Sequence, residues 1–508
     1  MKNPISLKHN AMANFIGLGY VTIISIVIFP LYLQYLGSEA YGLVGFFMVL
    51  QAWMQLLDMG MSPLLARQAA RTRGQNIDNS NLRKLVRSFE LIIFFLSITI
   101  VLVISTYSEW IASSWLNVIS LDLKKVATSI SFMGVIIGLR LFSSLYRSGI
   151  QGMENQVWLN VANIILVTFR YFGTLLLLKY VTQDIIHFFI FQLLVGIAEL
   201  FVLLTMFYRS VPYKSKVGIG LFWDTLKPML PFAGGIAYTA VLWVLLTQLD
   251  KLILSNILPL SDYGYFSLMA IVAAGIIQLS SPISQAILPR MTFLLSQGNE
   301  REMLELYRKS TQLMTVIMFP LAGMIALFSN ELLYAWTGDK EAAEWAGPIL
   351  YWFALGNGVL AVSAFQYYLQ FAHGKLRLHI IYTSILVSVQ IPIIIYTAFE
   401  YGALGVALTW FVLRLISFII WTPVVHNVFA PGIHLRWLLK DVFPVLLSTA
   451  FLLVFFSSME IDFERMSRKE ILSTLFGIGS VILLVNIFVS TTSRELLSDF
   501  VKKVCGTK

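Results

Sequence analysis

The sequence predicts an all-α integral membrane protein of about 14 transmembrane helices, built as two parallel six-helix lobes followed by a C-terminal helix pair. Three observations carry the prediction. Hydrophobic residues make up 58% of 508 positions and charged residues only 12%, with a mean hydropathy of +0.78, a balance a water-soluble surface does not accommodate. The apolar residues fall in runs of about 20, the length a helix needs to cross about 30 Å of hydrocarbon, and they do not alternate with period two, which excludes a barrel. Several landmarks recur after 222 residues, the mark of an internal duplication.

The first span, roughly 10–35, follows a basic start and is too long for a cleaved signal. Further spans are expected at roughly 41–66, 84–107, 126–149, 157–180 and 185–208, then at 229–255, 264–288, 309–333, 346–371, 378–399 and 402–425, with a final pair at 441–458 and 470–490. Between the sixth and seventh lies Val211–Lys227, where Val217, Ile219, Leu221, Phe222 and Trp223 sit beside Lys214, Lys216 and Lys227. This is either an interfacial segment on the inner leaflet or a plain linker.

Lys and Arg concentrate about three to one in alternate loops, those that include Lys2, Arg67–Arg87, Arg209–Lys227, Arg290–Lys309 and Lys502. Cytoplasmic loops retain such residues, so both termini are expected in the cytoplasm. The net charge of +9 is thereby explained by sidedness, and nucleic acid is not a partner. The longest outer segments, Tyr107–Lys125 and Met459–Glu470, are too short to hold a soluble catalytic domain.

A shift of 222 residues places Tyr41-Gly42 on Tyr263-Gly264, Gln151-Gly152 on His373-Gly374, Glu109 on Glu331 and Lys179-Tyr180 on Tyr401-Gly402. Each repeat has an even number of crossings, so the two share an orientation and relate by an axis along the membrane normal. The resulting domains are 1–208, a linker at 209–228, 229–428, and an extra pair with a tail at 429–508. Two such lobes with substrate bound between them form an alternating-access architecture.

A charge near a helix centre costs on the order of 3 kcal/mol, so retained ones face a cavity or a partner. Arg140, Arg170 and Arg414 lie deep in spans four, five and twelve. Guanidinium stays charged when desolvated and its planar fork matches phosphate oxygens, so the three are candidates for an anionic ligand. The alternative is pairing with buried acids, Glu199 with Arg170 for instance. Asp58, Glu199 and the pair Asp250–Lys251 are candidates for ion coupling or gating, the last equally readable as a structural pair. Arg147 and Arg290 are expected to snorkel at the interface. Tyr20, Tyr32, Trp53, Trp243, Gln248, Gln278 and Gln366 suit hydroxylated rings or helix packing, and Gly134-x-x-x-Gly138 suits close helix approach.

There is no GxxxxGK[ST] phosphate loop, so the chain is not expected to hydrolyse ATP. Six histidines lack zinc spacing, His373 and His379 being expected in a solvated turn, and the single cysteine, Cys505, permits no intramolecular disulfide. No cofactor is implied beyond a coupling H⁺ or Na⁺.

The stretches LGSEAYGLVGFF, LLDMGMSPLLARQAAR and LDKLILSNILPLSDYGYFS resemble the Wzx-type O-antigen and polysaccharide flippases of the multidrug/oligosaccharidyl-lipid/polysaccharide (MOP) exporter superfamily, over essentially the whole chain. The resemblance implies a flippase, not an enzyme, that turns an undecaprenyl-diphosphate-linked oligosaccharide from the cytoplasmic to the periplasmic leaflet of a bacterial inner membrane. It further implies a cationic cavity, ion coupling, and other polysaccharide-assembly proteins as partners. A cation-coupled multidrug exporter on the same fold is the alternative, and a membrane glycosyltransferase or polymerase a more distant one, since Asp462 and Glu464 make a poor catalytic pair.

Overall fold

The computed structural model describes residues 7–75, 80–211 and 217–505. Among them every regular element is helical, with an isolated bridge between Asn117 and Pro259. The chain divides into two compact units, Met1–Ser267 and Leu268–Lys508. Lys214 and Lys216 of the expected interfacial segment lie outside the described residues. The part that is described docks on the helix Ser80–Thr106, where the Phe222 N–H donates to Ser88 Oγ at 2.9 Å.

The first unit holds α1 (Leu7–Leu36), α2 (Ser38–Leu57), α3 (Met61–Gln75), α4 (Ser80–Thr106), α5 (Leu123–Gly152), α6 (Gln156–Tyr180), α7 (Ile185–Ser210) and α8 (Leu230–Ile257). Asp122 and Asp184 start α5 and α7 by accepting the backbone N–H two residues on, satisfying donors that a helix terminus leaves open. Helix α5 packs on α3, α4 and α7, while α1 lies along α6 and α2 along α8. Leu85, Ile93, Leu141, Leu145, Ile150 and Phe207 form the core of the α3–α4–α5–α7 group. The small-residue motif serves this packing. A Cβ at Gly134 would stand 3.0 Å from Ile104, one at Gly138 would stand 3.2 Å from Ser97, and Ser97 Oγ donates to the Gly138 carbonyl at 3.2 Å.

The second span is broken. Met59 and Gly60 adopt left-handed backbone (φ 48 and 76) between α2 and α3, and a Cβ on Gly60 would meet the Ala233 carbonyl at 2.7 Å. Asp58 caps the second piece: its carboxylate accepts from the Ser62 N–H at 3.1 Å and from Ser62 Oγ at 2.5 Å.

Helix α9 (Leu260–Ser296) begins in the first unit and continues into the second, which then holds α10 (Glu300–Leu327), α11 (Ser329–Thr337), α12 (Lys340–Ala372), α13 (Arg377–Phe429), α14 (Phe443–Ser457), α15 (Arg468–Val489) and α16 (Thr491–Cys505). Twelve helices among the described residues are long and apolar enough to cross a membrane. One of them, α13, has 53 residues and a non-helical Gly402 (φ 60, ψ −148), so it makes two crossings. With the broken α2–α3 span this brings the number to the fourteen expected. The final pair α14 and α15 rests on α10 and α11 through Phe328, Ile471, Leu475 and Ile482.

The 222-residue displacement carries α1 through α7 onto α8 through α13 with boundaries agreeing to within a few residues, from Ser38 onto Leu260 and from Tyr180 onto Gly402. At the first repeat landmark the symmetry is visible as contact. A Cβ on Gly42 would run into the Leu260 carbonyl and one on Gly264 into the Ser38 carbonyl, equivalent clashes across the crossing of α2 and α9. Only hydrogen at both positions lets these backbones approach so closely.

Candidate functional site

Arg140 and Arg147 stand seven residues apart on α5, two turns and roughly 10.5 Å along one face. Near the middle of α6 and α7 are Arg170 and Glu199. The three helices converge so that Glu199 bridges two arginines: Arg147 Nη2 donates to Oε1 at 2.7 Å and Arg170 Nη2 to Oε2 at 2.6 Å. Arg147 Nη1 also donates to Asn163 Oδ1 at 3.1 Å. Thr174 Oγ1 donates to the Arg170 carbonyl at 2.5 Å and accepts from Gln192 Nε2 at 3.1 Å, which ties α6 to α7 one turn from the pair.

Arg140 completes the cluster without an acid of its own. It interacts electrostatically with Arg170 and Glu199, its guanidinium lies 5.3 Å from the Phe47 ring, and its buried Nε has no hydrogen-bond partner among the described residues. Nε of Arg170 is buried in the same state. Three guanidinium groups against one carboxylate leave a formal excess of two positive charges in the middle of the bundle, where an uncompensated charge is costly. The arrangement can accept an anion with two or more charges, and Phe47 supplies a ring face that holds Arg140 in its absence.

The expected Arg170–Glu199 pair is therefore present. Arg147 departs from its expected interfacial position: it turns inward because Glu199 offers an anion at ion-pair distance, which outweighs hydration at the helix end. The signal that would have found it is its seven-residue spacing from Arg140.

Arg414 belongs to the second unit. It is buried on α13, 4.0 Å from the Trp410 ring, and Nη2 donates to Gln390 Oε1 at 3.4 Å. Trp410 Nε1 donates to Asn357 Oδ1 at 3.0 Å and Asn357 Nδ2 to the Ala273 carbonyl at 2.7 Å, so this arginine is lodged where α9, α12 and α13 meet.

Asp250 is 2% exposed. Lys251 Nζ is 3.4 Å from its Oδ1 and 2.5 Å from the Thr247 carbonyl, a loose pair because adjacent helical residues diverge by about 100°. Asp250 Oδ2 is buried without a partner among the described residues, and Asp250 interacts electrostatically with buried Tyr263.

Several other expected contacts are occupied by packing. Tyr20 Oη shares a 2.5 Å hydrogen bond with Thr168, and Tyr32 Oη donates to the Tyr171 carbonyl at 2.8 Å, both joining α1 to α6. His379 is not in the turn but in α13, its ring tilted against Tyr367 at 4.6 Å, and the part-buried His373, in the turn, packs on Phe429 at 5.0 Å. Among the described residues no group of His, Cys, Asp and Glu is arranged to hold a metal.

About fourteen crossings, matching helix boundaries at a 222-residue shift and a cationic cluster in mid-bundle define a polytopic α-helical membrane protein. The family model described as polysaccharide biosynthesis protein matches residues 7–295, more than half of the chain, and the chain belongs to that family. A MatE model matches residues 236–396. A Shigella flexneri protein described as a "Putative O-antigen transporter" is 20% identical over 415 residues, covering 80% of this chain and 94% of that protein. Among solved structures, the lipid II flippase MurJ in an inward closed conformation superposes with a TM-score of 0.71 at 15% identity, over 96% of this chain and 99% of that one. An inward-facing multidrug resistance MATE family transporter of the MOP superfamily gives 0.60 at 12% identity, over 83% and 99%. Together these place the chain in the polysaccharide biosynthesis protein family, with the multi-pass helical fold that the MurJ flippase and MATE transporter structures share.

Proposed function

We propose that this protein flips a polyprenyl-diphosphate-linked oligosaccharide, an O-antigen or similar polysaccharide repeat unit on undecaprenyl diphosphate, from the cytoplasmic to the periplasmic leaflet of a bacterial inner membrane. The observation that carries the reading is the double positive excess of Arg140, Arg147 and Arg170 around Glu199. A diphosphate brings about two negative charges and oxygens that guanidinium forks bind in pairs. Glu199 holds two of the arginines in place before the ligand arrives, and Arg140 supplies the charge that has no internal counterpart. The neutral saccharide needs a hydrated path and the prenyl tail stays in lipid. The O-antigen description of the Shigella relative and the lipid II specificity of the MurJ neighbour support this substrate class.

Transport against a gradient requires coupling, which we assign to H⁺ or Na⁺ with Asp250 as its carboxylate. Asp250 is buried, and one of its oxygens is without a partner among the described residues. Both termini are assigned to the cytoplasm on the Lys and Arg bias of the loops. The MATE resemblance keeps a cation exporter as the second reading, which a net positive site disfavours.

The test is flipping of a fluorescent diphosphate-linked oligosaccharide in reconstituted vesicles. Arg140→Gln should lower the rate at least tenfold, about 1.4 kcal/mol for one lost charged contact, and Arg140→Lys should restore part of it. Unchanged flipping by Arg140→Gln would refute the diphosphate site.

A further inference from the structure

The second unit contains a groove of about 1020 Å³ that the transport reading does not use. Its walls come from the first turns of α10, the segment that leads from Pro431 to Pro444, and the junction of α15 with α16. Within that segment a short helix, His434–Trp437, runs into a widened turn, Leu438–Val442, and then into α14.

Two stripes run side by side along it. Leu435, Leu439 and Phe443 recur every four residues and are 69%, 58% and 43% exposed. Arg436 and Lys440 stand one position on, also four apart, and both line the groove. An apolar row open to the surroundings beside a basic row is the pattern of a segment lying at the membrane–water boundary.

The groove is lined by five basic and four acidic side chains, and Asp441 also feels Arg436 and Lys440 electrostatically, but the close ion pairs are unevenly distributed. Arg308 is engaged by Asp441 through two hydrogen bonds of 2.6 and 2.8 Å, and Lys309 by Glu305 and Glu495 at 3.1 Å each. Arg301, Arg436 and Lys440 take part in no ion pair among the described residues, and the one remaining lining acid is Glu300. The lining also includes the apolar side chains of Leu304, Ile433 and Val489.

We propose that this groove binds the phosphate group of an anionic phospholipid. The headgroup phosphate sits among Arg301, Arg436 and Lys440 while its acyl chains follow the Leu435–Leu439–Phe443 stripe into the bilayer. Basic pockets at a membrane face recognise lipid phosphate in this way, through point charges at the headgroup level beside an apolar wall. The site is separate from the Arg140–Glu199 cluster and does not rest on the assigned substrate.

The experiment is native mass spectrometry of the purified full chain, counting lipids retained after exchange with phosphatidylglycerol or phosphatidylcholine. The wild type should keep at least one phosphatidylglycerol that Arg301→Gln/Arg436→Gln/Lys440→Gln binds about a hundredfold more weakly, at about fivefold per basic side chain. Lys440→Gln alone, at an exposed position, should show about one such step, so the result does not depend on the triple variant folding. Phosphatidylcholine retention should be the same in all three proteins, and millimolar inorganic phosphate should not displace the bound lipid. Equal phosphatidylglycerol retention in wild type and variants would overturn the proposal, and displacement by inorganic phosphate would overturn its lipid source.

Discussion

Replacing Glu199 with glutamine keeps the side chain's shape and removes the one anion among three guanidinium groups. In the native chain its two oxygens accept from Arg147 at 2.7 Å and Arg170 at 2.6 Å. Stripping one partner from a buried ion pair costs roughly 3–5 kcal/mol, because the remaining charge stays desolvated. The Arg170 and Glu199 side chains are 15% and 10% exposed, so that half of the bridge counts nearly in full, whereas Arg147 is 33% exposed and water recovers much of its share. About 3 kcal/mol of destabilisation is therefore expected. The assay is thermal unfolding in detergent followed by tryptophan fluorescence, run as a double-mutant cycle with Arg170→Gln. If the two side chains act as a pair, the double variant should be less destabilised than the sum of the singles by about 2 kcal/mol. Inorganic diphosphate should stabilise Glu199→Gln more than wild type, since the cluster then carries one more unmatched positive charge. Strict additivity, together with equal stabilisation by diphosphate, would refute the account of Glu199 as a placeholder for a polyanion.

Three further predictions concern helix packing and capping. Gly264→Ala should destabilise by about 1–3 kcal/mol, as overpacking does, because the new Cβ meets backbone of α2; thermal unfolding beside the equivalent Gly42→Ala checks it, and similar losses are expected from the repeat. Asn486→Ala removes a 2.7 Å hydrogen bond to Thr449 between α14 and α15 and should lose only about 0.6 kcal/mol, typical of such bonds in bilayers. Asp184 caps α7 outside the spans: partial burial raises its carboxyl pKa, but the hydrogen bonds from Lys125, at 2.6 Å, and from the Ile186 N–H outweigh it and bring the value below the ordinary 3.8. A depressed carboxyl favours the folded state above its unfolded pKa, so this contribution should disappear as pH falls below about 4; Asp184→Asn should flatten that acid limb of the stability curve.

Much of the frame was legible because it rests on patterns local in sequence. Apolar runs of bilayer length give the spans, and a bilayer tolerates no other use of them. Within them a charge is so expensive that Arg140, Arg170 and Glu199 stood out before any geometry was known. The Tyr-Gly landmarks marked the duplication, although their reason was not readable: Gly42 and Gly264 are needed because two backbones separated by 222 residues cross at van der Waals distance. The break at Met59-Gly60 also escaped the pattern. Hydropathy averages over a span, whereas the left-handed φ at those two residues answers to α8, whose Ala233 carbonyl stands where a side chain on Gly60 would go.

By itself, then, the sequence determined the class, about fourteen crossings and the burial of Arg140, Arg170 and Glu199, all properties of one helix measured against a slab. Which charges act together was decided only by tertiary structure. Depth made Arg414 a candidate together with Arg140 and Arg170; within the second unit its neighbours are Trp410, Gln390 and Asn357. The third guanidinium of the cluster is Arg147, which depth had set at the interface. The reason is geometric: rotation about each helix axis selects the neighbour a side chain meets, and that rotation is fixed by the packing of α5, α6 and α7 against one another, which hydropathy along any one of them does not contain.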